Sequence, residues 1–114
     1  MQIQVPVHRL KHALELVEPA VARKATLPIT RNVLFRAGGL HATNLTLAIS
    51  AELREVQGVA FTLPHKTLSN LLRHVPSAGV ATIEYEGGMA TITVGGDRLR
   101  LPGGDAGEFP PVPQ

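Results

Sequence analysis

The residues with chemistry to offer a partner are mostly cations, and they cluster. No carboxylate lies between Glu55 and Glu84, while His65, Lys66, Arg73 and His74 fall inside that stretch. Lys66, Asn70 and Arg73 are spaced i, i+4, i+7, which on a helix places them on one face. A typical solvated helix interleaves both signs. One with cations and no acids suits a polyanion such as a phosphate backbone. Arg9, Lys11 and His12 form a second basic group, and Arg23 and Lys24 a third. No aromatic residue is interleaved with these cations, which argues against the base stacking of single-strand and RNA-reading modules. Long basic side chains without stacking partners suit sequence-blind contact with duplex phosphates.

Other constellations lead nowhere catalytic. His8 and His12 stand at a spacing that could share a metal, but no neighbouring residue completes the ligand set, so a solvated helix face is the better reading. None of the glycine pairs leads into a helix as a phosphate-cradling loop does. Ser50, Ser69 and Ser77 lack a nucleophile-elbow context, and no close carboxylate pair suggests a general acid and base. Neither a catalytic site nor a metal or cofactor is expected, and the chain does not read as an enzyme.

These cations need elements to hold them. Ile3 and Val5 alternate with Gln2 and Gln4 as in a half-buried strand. Val7, Leu10, Leu14 and Val17 then mark one face of a helix ending near Pro19, and 19–28 reads as a loop. Strands are predicted at Asn32–Arg36, Leu40–Thr43, Leu45–Glu55 and Val59–Leu63, with a hairpin turn at Gly38-Gly39. Pro64 opens a second helix whose buried face is Leu68, Leu71, Leu72 and Val75, and Pro76 ends it. Val80–Glu86, Ala90–Val94 and Arg98–Leu101 form a meander turning at Gly87-Gly88 and Gly95-Gly96-Asp97. No sequence repeat is visible. The order predicts an α+β fold with two helices packed on one side of an antiparallel meandering sheet.

Composition sets the outer limits. The chain has 114 residues, one domain's worth, and 44% of them are hydrophobic. With Phe35, Phe61, Tyr85 and Phe109 the only aromatics, the core must be largely aliphatic. Net charge is +2, but residues 1–51 hold six basic and two acidic residues, a net of +4, while 52–114 hold five and seven, a net of −2. There is no cysteine, hence no disulfide or thiolate chemistry, and no secretory leader or membrane-length apolar run is seen, which together fit a cytoplasmic protein.

The segment Thr26-Leu27-Pro28-Ile29 with Asn32-Val33-Leu34-Phe35, the run from Leu63 to Pro76, and Glu108-Phe109-Pro110-Pro111-Val112-Pro113 together resemble, in order and spacing, the bacterial sliding clamp family, the DNA polymerase III beta subunit. The resemblance covers essentially the whole chain. One departure is Thr43-Asn44-Leu45-Thr46, which lacks the two acids usual in the family there.

The resemblance implies a DNA-clamp-like fold and the first of about three similar domains, spanning 1–108, with 109–114 starting an interdomain linker. It implies a processivity factor that encircles duplex DNA without sequence preference during replication. The protein would form a head-to-tail homodimeric ring, with the two helices on its inner wall. Polymerase and clamp loader would bind domains outside this chain. Lys24, Lys66 and Arg73, with Arg23, Arg9 and Lys11, are the expected DNA-binding residues. The final strand, Arg98, Leu99, Arg100 and Leu101, with Leu71 and Val75, is the expected subunit interface. The alternating pattern of that strand equally suits buried leucines and solvated arginines. The rival function is a stand-alone, clamp-like domain acting as a self-assembling or protein-interaction module.

Overall fold

The structure, a computed structural model, describes residues 1–22 and 28–110. Strand β1 (Gln2–Pro6) buries Ile3 and Val5 and turns Gln2 and Gln4 to solvent, as their alternation requires. Helix α1 (Val7–Val17) follows directly and buries Val7, Leu10, Ala13, Leu14 and Val17. No side chain caps its start; the Val7 N–H donates to the Gly79 carbonyl at 2.9 Å instead. The helix runs into a 3-10 turn at Glu18–Ala20, where Pro19 withholds a backbone donor.

After a second 3-10 turn, Pro28–Arg31, come β2 (Asn32–Arg36), β3 (Gly39–Thr43), β4 (Ala48–Glu52) and β5 (Ala60–Pro64). Two expectations are corrected here. The β2–β3 turn is Ala37-Gly38 rather than Gly38-Gly39, and Ala37 itself takes a positive φ of 47°. The long strand expected over Leu45–Glu55 shrinks to Ala48–Glu52, because Asn44 closes a local turn before it and the Val56 N–H donates to the Leu53 carbonyl at 2.9 Å in another turn after it. The Asn44 side-chain Oδ1 accepts from the N–H groups of Thr46 at 3.0 Å and Leu47 at 2.8 Å, while Leu45 goes to φ 76°. Leu45 and Leu47 alternate as a strand would, yet both are exposed.

Helix α2 (His65–Leu72) begins one residue later than expected, since Pro64 stays extended as its N-cap. Beyond Leu72 the chain turns through Arg73–Val75, leaving Leu71 and Val75 half-buried against the core. The meander β6 (Val80–Glu86), β7 (Met89–Val94) and β8 (Asp97–Pro102) stands as read, to within a residue or so at the ends. The two-residue strand β9 (Gly104–Asp105) gave no signal in the sequence.

The strands divide between two antiparallel sheets rather than one. The first has the order β1-β6-β7-β8 and the second β4-β3-β2-β5-β9. The element order β-α-β-β-β occurs twice, as β1-α1-β2-β3-β4 and β5-α2-β6-β7-β8. Each half sends its first strand to the other's sheet, β1 onto β6 and β5 onto β2. The halves share their order of elements, and no sequence identity is needed for that. α1 packs on β3, β4 and β1, and α2 packs beside α1 and on β5. Among the described residues no helix is long and apolar enough to cross a membrane.

The core is aliphatic apart from a ladder of three rings. Phe35 and Phe61 oppose each other across β2 and β5, their centroids 5.0 Å apart, and Tyr85 of the other sheet stacks on Phe61 at 5.0 Å. The ladder thus ties the two sheets together. Phe109 is also buried, so packing continues to the end of the described chain. Gly103 is required where the last strands converge: a Cβ there would lie 2.5 Å from the Thr62 carbonyl oxygen and 2.8 Å from the Tyr85 ring. Gly103→Ala is expected to destabilise the fold by about 1–3 kcal/mol. Gly96→Ala meets open space and should stay within about 0.5 kcal/mol of the parent. Urea unfolding of the two variants checks the contrast.

Candidate nucleic-acid interface

The two helices lie antiparallel, and hydrogen bonds from two side chains hold them so. Lys11 Nζ donates to the Val75 carbonyl at 2.9 Å and to Ser77 Oγ at 3.2 Å, just past the end of α2. His65, the first residue of α2, is buried with Nε2 2.8 Å from the Leu14 carbonyl oxygen in α1. A carbonyl cannot donate, so Nε2 carries the hydrogen. The ammonium of Lys11 thus fastens α1 to the turn that follows α2.

These contacts sort the expected DNA-binding residues. Lys66 and Arg73 are exposed and, among the described residues, make no ion pair. With Asn70 they line a single depression, as the i, i+4, i+7 spacing requires. Arg9 is half-buried and paired with Glu55 at 3.0 Å, which ties α1 to the β4–β5 connection. Lys11 is likewise half-buried and occupied. Both have structural work that periodicity could not show, because Glu55 and Val75 are distant in sequence. Arg23 and Lys24 lie outside the described residues.

The groove between the helices is lined by Lys11, Glu15 and Glu18 from the α1 side and Ser69 and Arg73 from the α2 side. The polar faces therefore meet, as expected, but α1 brings carboxylates to the seam rather than a second set of free cations. One exposed cation was missed: Arg31, which lines the same depression as Lys66 and Arg73. It ends a 3-10 turn with no periodic signal, so only its fold position reveals it.

His8 and His12 are both exposed, and no group of three metal-binding side chains occurs among the described residues. No buried side-chain nitrogen or oxygen among those residues lacks a partner, so nothing buried is held in reserve for a ligand.

Strand β8 lies at a sheet edge, paired only with β7. Its two-residue turn is closed by the Val94–Asp97 pair, and hydrogen-bonded pairs alternate from there. The backbone groups of Arg98 and Arg100 therefore point away from β7, toward the open edge. Pro102 falls in the same phase, where a missing N–H costs the ladder nothing. Arg98 and Arg100 are exposed, Leu99 is half-buried and Leu101 belongs to the core. The strand therefore divides between the two readings of its pattern: one leucine packs inside, the other stays available.

Two substitutions separate holding residues from contacting ones. Lys11→Met keeps the apolar stem and removes both hydrogen bonds, for an expected loss of about 1 kcal/mol. His65→Ala strands a buried carbonyl and should cost about 1–3 kcal/mol. Urea denaturation reads both, and Lys11→Met should change duplex-DNA affinity far less than Lys66→Ala does.

With this geometry established, comparison with known proteins is direct. The chain is 30% identical to the Beta sliding clamp of Synechococcus elongatus, aligning over 99% of this chain and 32% of the relative. It is 31% identical to the Beta sliding clamp of Caulobacter vibrioides, over 96% of this chain and 32% of that one. The crystal structure of the DNA polymerase sliding clamp from Caulobacter crescentus superposes with a TM-score of 0.87 at 29% identity, covering 100% of this chain and 33% of that chain. The chain thus spans about a third of the length of the relatives it matches. The family model described as DNA polymerase III beta subunit, N-terminal domain, matches residues 1–113. The chain belongs to the DNA polymerase III beta subunit family, where it corresponds to the N-terminal domain.

Proposed function

We propose that this chain is the N-terminal domain of a processivity factor that encircles duplex DNA in the cytoplasm during replication, without catalysing a reaction. The observation that carries the reading is the antiparallel helix pair. It presents Lys66 and Arg73, exposed and free of ion pairs among the described residues, on a helix without acids. Lys24 and Arg23, which lie outside the described residues, are included in the proposed contact on the strength of the sequence alone. Arg9 and Lys11 support it from α1, chiefly by holding the helices in place. Few cations and no aromatic platform make for weak contacts that slide. A ring that holds DNA by topology needs no tighter grip.

The partners follow from the same reading. A second subunit, met head to tail, pairs with the open edge of β8 through Arg98 to Leu101, while Leu71 and Val75 keep water from the junction. Polymerase and clamp loader engage other domains of the ring, joined to this one by a linker that begins after the buried Phe109 rather than at it.

Two measurements test the reading. The domain should bind duplex DNA weakly and without sequence preference, with a logarithmic salt slope of about −3 for three neutralised phosphates. Lys24→Glu, Lys66→Glu and Arg73→Glu together should abolish that binding while circular dichroism stays native. Salt-resistant binding, or binding that survives the triple reversal, would place the contact elsewhere. For the interface, Arg100→Pro removes an outward-facing donor and should shift the assembled protein from dimer to monomer in light scattering. An unchanged mass on dilution would put the subunit contact on another edge.

A further inference from the structure

The sequence places cations on α2; the fold adds one from elsewhere. A depression of about 590 Å³ opens between the end of α1, the turn Pro28–Arg31 and α2. Its polar lining includes Glu18, Arg31, Lys66, Ser69, Asn70 and Arg73. Arg31 is exposed and, among the described residues, makes no ion pair. Its neighbour Thr30 is buried and Asn32 starts β2, so the backbone that carries Arg31 is anchored on the C-terminal side by the sheet. Three cations from two separate segments therefore border one concavity with hydroxyl and amide groups between them. Phosphate oxygens are the acceptors such a set matches, and a guanidinium can meet them with two parallel donors.

Glu18 lies in the same lining and also in the adjoining groove with Lys11 and Arg73. It is exposed and makes no ion pair among the described residues, so it is not there to clamp one cation. Beside a phosphate it repels.

We propose that Arg31 joins Lys66 and Arg73 as a further phosphate-contacting cation of the duplex-facing surface, and that Glu18, set among them, keeps the contact weak. The proposal rests on the duplex-facing reading above and adds to it a residue and an opposing charge. It assigns the surface a tuned affinity: enough positive charge to follow the backbone, and one carboxylate to limit residence on any phosphate.

The test is fluorescence anisotropy of a labelled mixed-sequence duplex, titrated with the protein at several salt concentrations. Arg31→Ala should weaken binding several-fold and make the logarithmic salt slope shallower by about 0.9, one phosphate's worth. Arg31→Lys keeps the charge and should keep the slope. Glu18→Gln should tighten binding several-fold. If Arg31→Ala does not fold, Arg31→Gln reads the same loss of charge.

Unchanged affinity and slope on removing the Arg31 charge, while Lys66→Ala still weakens binding, overturns the proposal and leaves the duplex-facing reading intact. No effect from Arg31, Lys66 or Arg73 variants overturns both. Glu18→Gln with unaltered affinity removes the opposing charge from the account. Inorganic phosphate that displaces the duplex with saturation at constant ionic strength would mark a discrete anion pocket, and would overturn the assignment to backbone phosphates.

Discussion

Because β1 pairs with β6 and β5 pairs with β2, each β-α-β-β-β half of the chain completes the other's sheet. Everything else depends on this exchange. β1 and β5 each run straight into a helix, so the pairing of the strands places α1 and α2 side by side. It also brings Phe61 of β5 between Phe35 and Tyr85, linking one sheet to the other. A half taken alone would carry an unpaired strand and an uncovered apolar helix face. The exchange therefore favours folding of the chain as one cooperative unit.

The helices themselves are short. α2 has 8 residues and no side-chain cap, well below the length at which an isolated helix persists in water. Burial of Leu68 and Leu72, with the hydrogen bonds from Lys11 and His65, holds it in place. Stabilising groups and contacting groups thus occupy the same pair of helices. A cation that faces the helix seam is recruited to close it, as Lys11 is. One that faces outward, as Lys66 does, remains hydrated and free to meet a polyanion. Direction around the helix axis, more than residue type, separates the two uses.

The phosphate contacts proposed for this surface would be weak. Exposed cations in water interact through a high dielectric and a short screening length, so each adds little and all are salt-sensitive. Carboxylates at the seam reduce the sum further. Such contacts, as proposed, would not prefer one DNA sequence to another and would allow translation along the duplex. The edge of β8 is of a different kind. Its outward backbone groups are directional and fixed in register, which suits a partner that must stay in place.

Local pattern determined the elements, because helix and strand periods are written in the order of apolar residues. The stripe from Val7 to Val17, the alternation of β1 and the meander from Val80 to Leu101 were all legible in this way. So was the acid-free basic face of α2, and the resemblance to the sliding clamp family pointed to the same surface. Periodicity misled at Leu45 and Leu47, where Asn44 forms a turn that alternation does not encode. The division into two sheets was hidden, since strand partners are chosen by long-range packing and not by neighbours in sequence. For the same reason only the tertiary structure could show that Arg9 is paired with Glu55, that Lys11 is bonded to the turn after α2, and that Arg31 borders the depression with Lys66 and Arg73. The charge of each residue is a property of the sequence. Whether that charge is neutralised, occupied or left facing solvent depends on groups brought to it from distant parts of the chain.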